Sequence, residues 1–250
     1  MIDSRLEVGI VAIIQARMGS TRLPGKVLLD LEGKTALARV VSRLRRTTQL
    51  SDIVVATTDL VRDDAIVREC ERLNVNCFRG SESDVLDRYY QTARTFAADT
   101  IVRITSDCPV IDPGLVDQTI TAFRQEQGDY ASNSLPRTYP RGLDAEVFTI
   151  AALEQAWRNA RQDYEREHVT PYFYEHPELF RLVSQQSPTD YSQYRWTLDT
   201  PEDLELLRKL YSSFDGRDDF QWLDAIALVE RNPELAEINS HIFQKAVHAI

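Results

Sequence analysis

Runs of apolar and β-branched residues alternate along this chain with stretches whose apolar positions repeat at helical spacing, a pattern that confines it to a parallel sheet covered by helices on both faces. The first run, Val8 to Ile14, has no polar side chain, so it reads as a strand buried on both sides. Leu37, Val40, Val41 and Leu44 then recur at helical spacing, and Arg39, Arg43, Arg45 and Arg46 around them read as a solvated helix face. Ile53 to Thr58, Val75 to Phe78 and Thr100 to Thr105 supply a second, third and fourth strand. Helices are expected through Ile66, Cys70 and Leu73, then from a Ser81 or Ser83 cap through Leu86, Tyr89, Tyr90, Ala93 and Ala97, and again from Asp112 and Pro113.

The first strand empties into Arg17-Met18-Gly19-Ser20-Thr21-Arg22-Leu23-Pro24-Gly25-Lys26. Two glycines let the backbone come close to phosphate oxygens, Ser20 and Thr21 add donors, and Arg17, Arg22 and Lys26 offset the charge of a nucleoside triphosphate. Neither common phosphate-loop spacing fits. A P-loop has four residues between its glycine and the Gly-Lys pair and then Ser or Thr, whereas five separate Gly19 from Gly25 and Val27 follows Lys26. The dinucleotide fingerprint needs three glycines, and the loop has only Gly19 and Gly25, with Pro24 before the second.

The 250 residues carry no linker-like break, so residues 1–250 are read as one domain, with residues 129–195 as an embedded lobe. A net charge of −10 argues against nucleic acid or an anionic membrane as partner. Cys70, Cys77 and Cys108 lack metal-type spacing and suit a reducing cytoplasm, and no run is long enough to span a membrane.

Several residues have both a chemical and a structural reading. Asp107 follows the fourth strand, where open parallel sheets place ligands, and either holds magnesium or closes an Asx-turn. Asp199 follows the apparent strand Arg195 to Leu198 and precedes a helix marked by Thr200, Pro201 and Asp203, whose dipole alone would stabilise it. The loops holding Asn133 and Arg141 are rich in hydrogen-bonding groups suited to an acceptor. Asp144 and Glu146, two apart on an apparent strand, share a face suited to hydroxyls, an amine or a metal, or simply to water. His168 begins a helix, and Tyr172, Phe173 and Tyr174 belong to a core or a dimer surface.

The loop resembles the signature of the cytidylyltransferases that activate sugar acids, the CMP-sugar synthetases, and most closely their SpsF-like branch of spore-coat and cell-surface polysaccharide synthesis. The resemblance continues through Arg79-Gly80-Ser81-Glu82-Ser83-Asp84-Val85-Leu86-Asp87-Arg88-Tyr89-Tyr90, Arg103-Ile104-Thr105-Ser106-Asp107-Cys108-Pro109 and Gly142-Leu143-Asp144-Ala145-Glu146-Val147-Phe148. It ends with Glu167-His168-Val169-Thr170-Pro171 and Trp196-Thr197-Leu198-Asp199-Thr200-Pro201-Glu202-Asp203. It implies a three-layer α/β/α Rossmann-like nucleotidyltransferase fold, mostly parallel, whose embedded lobe at 129–195 serves acceptor binding and dimerisation. It implies CTP as donor, a sugar-acid acceptor, one or two Mg2+ ions on Asp107 and Asp199, and a homodimer. By the same resemblance Arg17, Lys26 and Asp107 are catalytic, and Ala16, Gly19, Ser20, Thr21, Arg22, Ser81 and Arg88 join them around the nucleotide. Asn133, Arg141, Asp144, Glu146 and His168 are assigned to the acceptor. Two other readings remain at this stage: a glycosyltransferase using a nucleotide-sugar, which would favour an Asp-x-Asp metal motif, and a non-catalytic nucleotide sensor, which would not need both carboxylates.

Overall fold

The computed structural model describes residues 9–243; Val8, the first residue of the opening apolar run, lies outside them. The elements begin with β1 (Ile10–Gln15), the short hairpin β2 (Asp30–Leu31) and β3 (Lys34–Thr35), α1 (Ala36–Leu44), β4 (Asp52–Thr58), α2 (Asp64–Leu73), β5 (Asn76–Gly80), α3 (Val85–Thr95), β6 (Thr100–Thr105) and α4 (Pro113–Gln125). There follow β7 (Tyr130–Ser132), β8 (Glu146–Thr149), α5 (Ile150–Asn159), α6 (Asp163–His168), α7 (Pro171–Glu175), β9 (Leu182–Ser184), α8 (Pro201–Ser213), α9 (Trp222–Arg231) and α10 (Pro233–Glu237).

Seven strands form one sheet in the order β5-β4-β1-β6-β8-β7-β9. All pairings are parallel except those of β8, which runs against both β6 and β7. The chain winds outward from β1 through β4 to β5 and then returns to place β6 on the other side of β1. That reversal opens a crevice at the carboxyl ends of β1 and β6, where such sheets bind ligands. The segment 129–195, expected as a lobe, supplies β7, β8 and β9 to this sheet together with α5, α6 and α7.

Both faces are covered, as a strand without polar side chains requires. Ile10, Ala12 and Ile14 pack with Leu37, Val40, Val41 and Leu44 of α1 and Val116, Ile120 and Phe123 of α4. Val11 and Ile13 point the other way, against Leu86, Tyr89 and Ala93 of α3 and Leu153 of α5. A third cluster joins α8 and α9 to Trp196 and Leu198. Tyr172 and Phe173 lie within the second cluster, and Phe173 is fully buried, so of the core and the dimer surface expected for these rings the structure places these two in the core. No helix of the described residues is long and apolar enough to cross a membrane.

Four local expectations need correction. Asp84, not Ser81 or Ser83, caps α3 by accepting from the Asp87 amide at 2.8 Å, while Ser81 Oγ accepts from the Asp84 amide. His168 ends α6 instead of starting a helix, because Pro171 opens the next one. Arg195 to Leu198 is not a strand: it is held to residue 141 by one isolated bridge. Arg39 and Arg43 are not solvated but fully buried.

The reason for that burial is a scarcity of partners for loop carbonyls. Arg39 donates to the carbonyls of Leu31, Glu32 and Gly216, each at 2.6 Å, and lies over the Tyr211 ring. Arg43 donates to the carbonyls of Ile111 at 2.6 Å and of Asp218 and Phe220 at 3.0 Å, and lies over the Phe220 ring. Both tie α1 to the loop between α8 and α9, whose carbonyls would otherwise be buried without donors. Arg43→Met should therefore lower the unfolding free energy by about 3 kcal/mol or more. Urea titration checks this, and a loss below about 1 kcal/mol would mean the carbonyls find water instead.

Candidate active site

The loop after β1 is closed by its own backbone and by one buried acid. The Met18 carbonyl accepts from the amides of Ser20 at 2.9 Å and Gly25 at 3.1 Å. The Met18 amide donates to Asp63 Oδ1 at 2.6 Å, and Thr58 Oγ1 donates to the other oxygen of the same carboxylate. Asp63 is fully buried and is the anchor that sequence reasoning missed; its only local signal is an acid just past the end of the second strand. Gly25 takes φ 68°, a left-handed conformation that favours glycine, and turns the chain so that Lys26 starts a short 3-10 helix.

Lys26 points into the crevice. Its ammonium donates to Asp107 Oδ2 and Asp199 Oδ1, each at 2.7 Å. Arg22 approaches the same Asp199 oxygen at 3.1 Å. Two carboxylates 92 positions apart thus converge on one cationic point, as both strand-end placements suggested. Asp107 is brought there by the turn after β6; its carbonyl accepts from the Leu198 amide at 2.8 Å, which draws the 195–199 segment alongside.

Asp199 is fixed from behind. Arg195 donates to Asp199 Oδ2 at 2.9 Å, and to Asp203 through Nε at 2.9 Å and Nη2 at 3.0 Å. Asp203 also completes the capping box of α8 and accepts from Asn239 Nδ2 at 2.8 Å. The helix-start reading thus applies mainly to Asp203, which leaves Asp199 Oδ1 facing the crevice.

The charges are mutually dependent. Burial works against the Lys26 ammonium, but Asp107 and then Asp199 outweigh it and raise its pKa above the ordinary value. Burial likewise favours a neutral Asp107, yet Lys26 prevails and holds that carboxyl below its usual range.

The other sequence candidates divide into two groups. On the side of β8, Arg137 grips Asp144 with two bonds at 2.5 and 2.8 Å. Asp144 lies before β8 begins, so strand alternation does not govern it, and the expected shared face with Glu146 is corrected. Glu146 accepts from Tyr130 at 2.6 Å and pairs with Arg103. Asn133 is buried, donating to the Leu143 carbonyl at 2.8 Å and accepting from the Ala145 amide at 2.9 Å. The guanidinium of Arg141 has no hydrogen bond or ion pair among the described residues. Burial, then the neighbouring Arg137, lowers its pKa.

On the side of α3, Arg88 is buried, donates to the Ser81 carbonyl at 2.5 Å and leaves its Nε without a partner. Burial depresses its pKa. Ala16 is also buried, its amide donating to the Ala56 carbonyl at 3.1 Å. Arg17 lies near Glu167 at 3.8 Å, on the turn of α6 that also carries His168. Asp84 pairs with Arg166 and so ties α3 to α6. Gly19 and Ser20 shape the loop, with Ser20 Oγ accepting from the Leu23 amide at 3.4 Å, and Thr21 is exposed.

No group of three or more metal-ligating side chains occurs among the described residues. Two converging carboxylates nevertheless fit magnesium, which is commonly held by one or two carboxylates together with substrate phosphates and water.

The chain is similar to known proteins along most of its length. Residues 11–229 match a family model described as cytidylyltransferase. The chain is 38% identical over 238 residues to the spore coat polysaccharide biosynthesis protein SpsF of Bacillus subtilis, covering 91% of this chain and 96% of that one. A 3-deoxy-manno-octulosonate cytidylyltransferase of Trichlorobacter lovleyi is 38% identical over 119 residues, covering 48% and 46% of the two chains. The solved structure of a cytidylyltransferase from Leptospira borgpetersenii is 37% identical and superposes with a TM-score of 0.87, covering 95% of this chain and 99% of that one.

Two expectations follow. Gly142 has φ 102°, and a Cβ there would lie 2.5 Å from the Trp196 carbonyl carbon and 2.7 Å from the Thr197 nitrogen. Gly142→Ala should cost about 2 kcal/mol or more in unfolding free energy, since the obstruction is backbone; a melt within error of the parent would contradict the packing. Lys26, held above its ordinary value near 10.4, contributes stability that is present below that value and lost as pH rises through the raised one. Asp107, held below about 3.9, contributes stability present above that value and lost as pH falls through the depressed one. Lys26→Met should thus lower stability by roughly 1–3 kcal/mol across about pH 5–9, a difference that shrinks below about pH 4 in urea titrations.

Proposed function

The chain belongs to the cytidylyltransferase family, and from that membership we propose that it transfers CMP from CTP to a hydroxyl of a small sugar acid, in the making of cell-surface or spore-coat polysaccharide. The observation that carries this reading is the convergence of Asp107 and Asp199 on Lys26 in the crevice beside the cationic loop. The acceptor class is supported by the sugar-acid named for the octulosonate enzyme, and the pathway by the name of the SpsF relative.

In the reaction an acceptor oxygen attacks the α-phosphorus, the bond to the β-phosphate oxygen breaks, pyrophosphate leaves and the hydroxyl proton is released. Such a transfer asks the protein to align reactants and offset charge. The amides and hydroxyls of Gly19, Ser20 and Thr21 would cradle the phosphates, and Arg17, Arg22 and Lys26 would stabilise the triphosphate and the departing pyrophosphate. Asp107 and Asp199 would hold one or two Mg2+ ions, which when bound offset phosphate charge and lower the pKa of the acceptor hydroxyl. Ala16, Ser81 and Arg88 would border the base. Asn133, Asp144, Glu146 and His168 would shape the acceptor side, where the unpartnered guanidinium of Arg141 suits an anion. Because the loop cations already meet carboxylates, substrate would be drawn by a few oriented groups and not by a broad basic surface.

Pyrophosphate release from CTP with 3-deoxy-manno-octulosonate and other sugar acids, set against UTP and ATP, tests the reading; release with no acid in the panel would overturn the acceptor class. Asp107→Asn and Asp199→Asn should each lower kcat/KM by about 100-fold or more. The double variant should lose little beyond the worse single one, because either change removes the shared site. Unchanged magnesium dependence in Asp199→Asn would remove that residue from the site.

A further inference from the structure

We infer that Lys26 is a built-in counter-cation for the carboxylate pair, and that divalent metal and this ammonium exchange for one position, so that metal loads together with the triphosphate and not ahead of it. The inference rests on the reading of Asp107 and Asp199 as the metal site.

The geometry leaves one place for a cation. The Lys26 nitrogen lies 2.7 Å from an oxygen of each carboxylate, and its side chain is 12% exposed. A magnesium ion held by the same two oxygens at about 2.0–2.1 Å would fall within the space of that ammonium. Two cations cannot share it: in a medium this poorly solvated their repulsion would far exceed its value in water. The other charges around the pair do not provide an alternative. Arg22 Nη2 approaches Asp199 Oδ1 at 3.1 Å from the exposed side, and Arg195 takes Asp199 Oδ2 from the buried side. Asp107 has no cation but Lys26 among the described residues. Metal arriving alone must displace an ammonium that both carboxylates hold.

A triphosphate changes that balance. Lys26 begins the short helix at the end of the loop expected to cradle phosphate, so in the exchange its ammonium passes from carboxylate to phosphate oxygens. The ammonium keeps an anionic partner, the carboxylates receive the metal, and no charge is left unpaired. Coupling between the two ligands is then reciprocal. This also explains why a side chain serving a polyphosphate is buried among acids: it keeps the pair ionised and apart from stray divalent ions until substrate arrives.

The test measures metal binding to the protein alone. Mn2+ titration followed by electron paramagnetic resonance should show Lys26→Met binding Mn2+ more tightly than the parent, by about 5- to 150-fold, the usual span of a coupling between sites. The gain should vanish in the Lys26→Met, Asp107→Asn double variant. A folded Lys26→Met protein whose affinity equals or falls below the parent's overturns the inference, and so does a gain that survives Asp107→Asn. In the parent, the Lys26 ammonium resonance, assigned by through-bond connection to its own backbone, should shift on Mg2+ titration and saturate with it. A resonance unmoved by saturating Mg2+ overturns the exchange whether or not the variant folds. None of these readouts uses turnover, so loss of the cytidylyl-transfer reading would show separately, in the absence of pyrophosphate release.

Discussion

One buried run of alternating charge, Lys26 to Asp107 and Asp199, then Arg195 and Asp203, holds the crevice in shape. Its members come from the loop after β1, the turn after β6, the segment before α8 and the first turn of α8. None of these pieces is fixed by sheet hydrogen bonds at the point where it contributes. The apolar layers bring the strand ends within reach, but they cannot aim a carboxylate. Removing one member of such a set leaves its neighbour as an uncompensated buried charge, which is costlier than never having had the pair. The same run therefore stabilises the crevice and fixes which carboxylate oxygens face it.

Arginine does two different jobs around this centre. Arg39 and Arg43 are struts: their forks match several loop carbonyls at once and their planes lie on Tyr211 and Phe220. Lysine, with a compact ammonium, could not replace that planar fork. Arg103 and Arg195 fix acids, Glu146 and the pair Asp199 and Asp203. Arg88 and Arg141 differ, because each has been partly desolvated without full compensation. Burial lowers the pKa of both, and each guanidinium keeps a donor that no group among the described residues takes up.

Much of the layout is legible from the residues because it is local. Alternating Ile10, Ala12 and Ile14 against Val11 and Ile13 encodes a strand covered twice, and Thr200, Pro201 and Asp203 encode a helix start. The crevice follows from topology once a cationic loop and Asp107 both leave carboxyl ends of strands. Burial of Arg39 and Arg43 is not legible, since a helix face of arginines looks the same whether water or loop carbonyls receive it; Gly216 and Phe220 lie some 177 positions away. The anchor Asp63 is hidden for the same reason: it belongs to the loop after β4 but acts on Met18. Arg195 to Leu198 has strand composition, yet only one bridge, to residue 141, forms before the chain turns into Asp199, and the neighbouring Gly142 lies directly against the Trp196 backbone.

The acidic character of the whole chain then poses a problem that the site resolves locally. A protein of net charge −10 has a field that repels a nucleoside triphosphate at long range. Screening confines that field to about 8 Å at physiological salt, so what matters is the charge arrangement inside the crevice. There, Arg22 and Lys26 are already neutralised by Asp107 and Asp199. On the proposed exchange, a triphosphate arriving with metal would not fill an empty basic pocket but would swap partners, phosphate for carboxylate on the lysine and metal for lysine on the carboxylates. Each charge would then be paired before and after, without the desolvation cost that a bare cationic cavity would carry. Under that proposal an acidic protein would bind a polyanion selectively, because an anion lacking a metal to leave with the carboxylates would not complete the exchange.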